Sequence, residues 1–158
     1  MIKTLIKAGD VMIKPTKTLG VVAAGVLSGF LSTQVMAHGD VTPQSVDVAG
    51  LTPLGAEWKE ENPYREDYEN HALAVSIGAS AYNQNCARCH GLEAISGGIA
   101  PDLRFLENGI EGDEWYSYRV QNGAVRDGRV YMPKMSEHLS QEALWAIRAW
   151  LETVSVSN

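Results

Sequence analysis

The sequence predicts a small all-α domain behind an irregular N-terminal arm. Apolar residues recur at helical spacing in separate segments beyond residue 70, and no strand-period segment runs longer than a few residues. Residues 38–69 instead collect prolines, glycines and acidic side chains. The chain has 158 residues and a formal charge of −6. That length suits one domain with one core, and there is no internal repeat or low-complexity tract.

Residues 1–37 are expected to be a signal peptide. Lys3, Lys7, Lys14 and Lys17 precede an apolar run of thirteen residues, Leu19 to Leu31, and Val35-Met36-Ala37 forms a cleavage site. A membrane anchor needs about 20 apolar residues, and this run is shorter and diluted by glycine and serine. Cleavage after Ala37 leaves 121 residues with nine basic and eighteen acidic side chains, a formal charge of −9. So acidic a chain is a poor partner for nucleic acid, where Lys and Arg must neutralise phosphates, and for anionic membranes. Export places the chain in the periplasm, with no stable membrane insertion after cleavage.

Residues 38–69 form the extended acidic arm, with Pro43, Pro53 and Pro63 among Glu57, Glu60, Glu61, Glu66, Asp67 and Glu69. The charges read as a solvated face, or alternatively as a docking surface for a cationic partner. Trp58, Tyr64 and Tyr68 argue that the arm packs on the domain, because disordered segments are poor in aromatics. Residues 70–158 form the domain proper. A first helix is expected over 70–85, with Asn70 as N-cap and Gly78 and Tyr82 one turn apart. A mid-helix glycine costs about 1 kcal/mol against alanine, which makes sense where another helix crosses closely. A second helix is expected over 113–121, with Asp113 as a possible cap and Asn122-Gly123 as its stop. A third is expected over 140–154, capped by Ser140, with Leu144, Ile147, Leu151 and Val154 on one stripe widened by Trp150.

The segment Cys86-Ala87-Arg88-Cys89-His90 carries the chemistry. C-x-x-C-H is the pattern of c-type haem attachment. Two thiols at this spacing reach the two vinyl groups of one porphyrin, and the adjacent His90 meets the iron as its proximal ligand. A zinc site would need a further Cys or His pair, yet Cys86 and Cys89 are the chain's only cysteines. A thioredoxin-like dithiol would sit beside a βαβ pattern, which is absent.

An electron-carrying haem needs a strong sixth ligand, and a Met thioether raises its potential. Met132 and Met135 are the methionines left after cleavage, and Met132 lies in a Gly/Pro-punctuated loop between the second and third helices. Met132 is the expected distal ligand. Met135 competes as ligand and otherwise fills core space, and His71 and His138 are the histidine alternatives. His38 would become the mature N-terminus, where amine and imidazole could chelate copper, but no second histidine partner is evident.

These motifs resemble a class I c-type cytochrome. They run from Ile77-Gly78 and Tyr82 through Cys86, Cys89 and His90, then Ala100-Pro101-Asp102-Leu103, Asn122-Gly123, Met132-Pro133 and Leu139-Ser140. The resemblance implies a small helical fold around one covalent haem c, with Gly78 and Tyr82 against the last helix. It also implies Met132 as distal ligand and the Pro101 carbonyl as acceptor for His90 Nδ1–H. A finer resemblance, to PedF-type cytochromes c, rests on His38-Gly39-Asp40-Val41-Thr42-Pro43, Trp58, Asn62-Pro63-Tyr64-Arg65 and Gly78 through Asp102. Members can carry an extra cysteine pair between the positions of Leu106 and Trp115, which this chain lacks. It implies a non-enzymatic carrier that accepts single electrons from a periplasmic quinoprotein (PQQ) alcohol dehydrogenase and passes them towards a terminal oxidase or another cytochrome. The alternatives are a permanent subunit of a dehydrogenase complex and a haem sensor with an open sixth position.

Overall fold

The computed structural model describes residues 43–156, so the expected signal peptide and His38 lie outside the described residues. Four helices make up the domain: α1 (His71–Asn85), the single turn α2 (Ala87–His90), α3 (Ile110–Asn122) and α4 (Gln141–Val154). Short 3-10 turns at Leu92–Ala94, Leu103–Phe105 and Met135–Glu137 link them. A two-stranded antiparallel hairpin, β1 (Ala124–Arg126) and β2 (Arg129–Met132), sits between α3 and α4.

The crossing of α1 over α4 sets the frame. A Cβ on Gly78 would lie 1.9 Å from the Ala146 carbonyl oxygen, so the two backbones touch where glycine stands. One turn further along α1, the Tyr82 ring lies 4.4 Å from that of Trp150. Tyr82 OH then donates to the Gly91 carbonyl at 2.8 Å. Burial of this hydroxyl pushes its pKa well above the ordinary tyrosine range, so it remains a donor at any physiological pH. The expected meeting of Gly78 and Tyr82 with the last helix is therefore observed.

Helix α4 begins where the sequence places it, with the Ser140 hydroxyl accepting from Ala143 N–H at 3.2 Å. It is buried more widely than one stripe: Ala143 through Leu151 are all buried, Arg148 included. The arm explains this, because it covers the face that α1 leaves open. Leu54 N–H donates to Glu142 at 2.9 Å, Lys59 N–H to Gln141 at 2.6 Å, and Trp58 Nε1–H to the Ser117 hydroxyl at 2.6 Å. The Trp58 ring lies 5.9 Å from that of Trp145. Tyr64 is 1 % exposed, and its hydroxyl donates to the Thr52 carbonyl at 2.6 Å. Among its described residues the arm has no regular secondary structure beyond turns, and its acidic side chains at 57, 60, 61, 66, 67 and 69 are exposed.

Helix α3 starts three residues earlier than expected, at Ile110, with Gly109 (φ 79°) as its cap residue. Asp113 is thus not the cap. It is fully buried and accepts from Arg148 Nε–H at 2.7 Å, from Asn62 N–H at 2.7 Å and from Arg65. Arg148 also donates to the Glu107 carbonyl at 2.7 Å and pairs with Glu152 at 3.2 Å. One carboxylate therefore ties the arm, α3 and α4 together.

The hairpin was not expected from the sequence. Its turn residues, Asp127 (φ 50°) and Gly128 (φ 72°), both take the left-handed conformation, the two-residue turn that matches strand twist. Three- and four-residue strands are too short to show a period.

Two stability predictions follow from this packing. Gly78→Ala should destabilise the haem-loaded protein by about 1–3 kcal/mol through overpacking, whereas Gly97→Ala, with nothing near its Cβ, should stay within about 0.5 kcal/mol. Guanidinium unfolding followed by circular dichroism measures both. Asp113→Ala strips the carboxylate from Arg148 Nε and leaves the buried guanidinium only its pair with Glu152, and the same measurement should show a loss of about 3 kcal/mol.

Candidate functional site

Helix α1 runs directly into the cysteine segment. Cys86 is the C-cap residue of α1 and precedes α2, with Cys89 N–H and His90 N–H reaching the Cys86 carbonyl at 3.1 and 3.0 Å. One helical turn puts positions 86, 89 and 90 on the same side, in the i, i+3, i+4 relation. Both cysteines are half-buried. Burial, helped by the neighbouring Cys89, pushes the Cys86 thiol up to about 12. Among the described residues no cluster of three or more His, Cys, Asp or Glu could hold a metal ion.

The His90 ring is buried, and its Nδ1 lies 2.9 Å from the Pro101 carbonyl oxygen. A carbonyl accepts only, so Nδ1 is the donor in this contact and Nε2 is the ring nitrogen left uncommitted. The loop that presents Pro101 is itself braced. Asp102 accepts from Arg104 N–H at 3.1 Å, Arg104 Nε–H at 3.0 Å, Arg104 Nη2–H at 2.8 Å and Ser96 N–H at 3.3 Å. The Arg104 guanidinium bonds hold the Asp102 carboxyl down to about 2. A cavity of about 360 Å³ opens beside this loop, lined by Leu103, Phe105, Leu106 and Trp115 together with the carboxylates Asp102, Glu107 and Glu111, and by none of Cys86, Cys89, His90 or Met132.

The chain turns sharply after His90. A Cβ on Gly91 would lie 1.8 Å from the Ile95 carbonyl oxygen, and φ at Gly91 is 84°. Glu93 and Ala94 also have positive φ, 54° and 59°. Tyr82 holds this tight passage through the Gly91 carbonyl.

The two methionines go to different places. Met135 is 5 % exposed and packed in the core, whereas Met132 is half-buried at the end of β2, followed by Pro133. Gly123 packs against this strap: its Cβ would lie 2.4 Å from the Met132 carbonyl oxygen and 3.0 Å from Pro133 C. His71 is engaged elsewhere, with Nδ1 2.8 Å from the Tyr64 carbonyl, and His138 is exposed. The donor set fits haem: two cysteines on one side of a helical turn, followed at once by an imidazole whose Nδ1 is engaged and whose Nε2 is uncommitted.

The family profile described as cytochrome c oxidase, cbb3-type, subunit III matches residues 73–151. The chain is 70 % identical to the cytochrome c550 of Pseudomonas aeruginosa over 132 residues, covering 83 % of this chain and 91 % of that one. The chain is a c-type cytochrome. It carries one covalently attached haem c, and it is an electron carrier rather than an enzyme. The cytochrome is also 30 % identical over 93 residues to the quinohemoprotein alcohol dehydrogenase ADH-IIG of Pseudomonas putida, covering 59 % of this chain and 12 % of that one. A second quinohemoprotein alcohol dehydrogenase of that organism, ADH IIB, is 32 % identical over 77 residues, 49 % of this chain and 11 % of the other. The cytochrome thus corresponds to about a tenth of each dehydrogenase. No solved structure matches it. No helix among the described residues is long and apolar enough to cross a membrane.

Sequence reasoning missed two groups around Met132. Arg119, at the end of α3, donates from Nη1 to the Gly123 carbonyl at 2.9 Å, and the hairpin delivers Met132. Asp127-Gly128 was the available signal for the hairpin, a turn pair between two short apolar segments.

The Asp102 brace has a pH signature. A carboxyl held near 2, below the ordinary value of about 3.9, contributes stability fully above that ordinary value and loses it as pH falls through 2. The gap in thermal midpoint between native protein and Asp102→Asn should therefore shrink as pH is lowered from 5 to 2. A gap independent of pH would show that the carboxylate charge contributes nothing.

Proposed function

We propose that this cytochrome is a periplasmic shuttle that takes single electrons from a PQQ-dependent alcohol dehydrogenase and delivers them towards a terminal oxidase or another cytochrome. The observation that carries the reading is the 30 % identity over 93 residues with a short stretch of a quinohemoprotein alcohol dehydrogenase. An enzyme that holds a quinone and a haem in one chain passes electrons between them. A free domain of similar sequence is suited to the same donor. The N-terminal Lys-rich and apolar segment supports export, and the acidic surface supports association with proteins rather than nucleic acid.

In this reading Cys86 and Cys89 would hold the haem through thioethers, and His90 and Met132 would be the side chains that ligate its iron. The haem iron supplies a one-electron ferric/ferrous couple. The protein's residues set its terms. Pro101 fixes the His90 tautomer and aims Nε2, and Tyr82 holds Gly91 so that the turn stays in place. A neutral thioether from Met132 favours the ferrous state. Oxidation of one alcohol to the aldehyde releases two electrons and two protons. Two ferric cytochromes are therefore reduced in succession, and the protons leave to solvent from the dehydrogenase.

Stopped-flow mixing of ferric, haem-loaded protein with purified quinoprotein alcohol dehydrogenase and ethanol tests this. Haem reduction should be rapid and saturable, and slow by about tenfold or more as salt rises and screens the steering charges. Negligible reduction of a haem still reducible by dithionite would remove the alcohol-oxidation reading. Co-elution with the dehydrogenase through high salt would instead favour a permanent subunit.

A further inference from the structure

We propose that Arg119 is a positioning residue for the distal ligand, acting through Gly123. The inference rests on Met132 as that ligand. Gly123 is held at both of its backbone polar groups by one residue. Its N–H donates to the Arg119 carbonyl at 2.8 Å, and its carbonyl accepts from Arg119 Nη1–H at 2.9 Å. The guanidinium is stiffened in turn by aromatic faces, with Cζ 5.4 Å from the Trp115 ring centre and 5.8 Å from that of Tyr118. Its charge also sits in the last turn of α3, where the helix dipole favours a cation.

What Arg119 holds is the surface on which the distal strap rests. Gly123 (φ 66°) lies against three consecutive residues of that strap, its Cβ position being 2.4 Å from the Met132 carbonyl oxygen, 3.0 Å from Pro133 C and 3.2 Å from Lys134 N. Pro133 has no N–H to donate, and the ladder is bulged between Ala124 and Val125, so pairing of Ala124 with Met132 is irregular. The strap therefore depends on the Gly123 contact for its register. Releasing the Gly123 carbonyl lets the strap move and lowers the cost of taking the thioether off the iron.

The test is imidazole binding to the ferric, haem-loaded protein, followed by the thioether-to-iron charge-transfer absorption. Arg119→Gln should raise imidazole affinity about tenfold and weaken that absorption at neutral pH. Arg119→Lys, which keeps a charged donor without the planar fork, should recover part of the difference. Arg65→Gln, which loosens the Asp113 cluster instead, controls for general destabilisation and should leave imidazole affinity unchanged. Met132→Ala should bind imidazole freely and lack the absorption. Unchanged affinity in Arg119→Gln beside a freely binding Met132→Ala overturns the positioning role. Equal gains in Arg119→Gln and Arg65→Gln do the same, because they reduce it to stability. Absorption retained in Met132→Ala removes the ligand reading and the inference with it.

Discussion

The contact between Gly78 and the Ala146 carbonyl is the constraint on which the rest of this cytochrome depends. It brings the backbones of α1 and α4 together at a distance no other residue at position 78 permits. Because Cys86 alone separates α1 from α2, the crossing also decides where both cysteines and the His90 imidazole stand. Tyr82 transmits it twice, through its ring against Trp150 and its hydroxyl on Gly91. Close packing of this kind is stiff, since interiors tolerate little change in volume. Redox function benefits from that stiffness, because a haem whose ligands move little between oxidation states needs little reorganisation.

A second constraint joins the parts that the crossing leaves loose. The buried Asp113 carboxylate gathers Arg148 from α4 and Asn62 and Arg65 from the arm onto α3. Buried ion pairs gain little over a well-packed apolar core, so their value lies in specifying one arrangement rather than in net stability. Here they anchor an arm whose described residues form no helix or strand to direct it. The exposed acidic residues of the same arm are left to face solvent and partners. The arm is thus both the cover for α4 and the carrier of much of the surface charge.

The site was legible in the sequence to the extent that chemistry dictated spacing. Two thioethers and an axial imidazole require C-x-x-C-H, and Cys86, Cys89 and His90 share one helical turn. Gly78, Tyr82 and the α4 stripe were legible because helical periodicity is regular, and the arm's packing was legible from Trp58, Tyr64 and Tyr68. What escaped was non-periodic or non-local. Asp113 looks like a cap because a charged residue at a helix start ordinarily faces water; nothing in the sequence pairs it with Arg148, 35 positions on. The β1–β2 hairpin escaped because its strands are three and four residues long, and its Asp127-Gly128 turn was the sole local mark. Arg119 escaped because its partner is a backbone carbonyl, which carries no sequence signature.

The central claim is a haem held between His90 and Met132, with Met135 in the core. The most direct test is the NMR spectrum of ferrous, haem-loaded protein labelled at its methionine methyl groups. One methyl should show the large upfield shift of a group bound over the porphyrin face, while the other resonates in the ordinary aliphatic range. The shifted signal should vanish in Met132→Ala and persist in Met135→Leu. Two unshifted methyls, or loss of the shifted signal in Met135→Leu alone, would contradict the account.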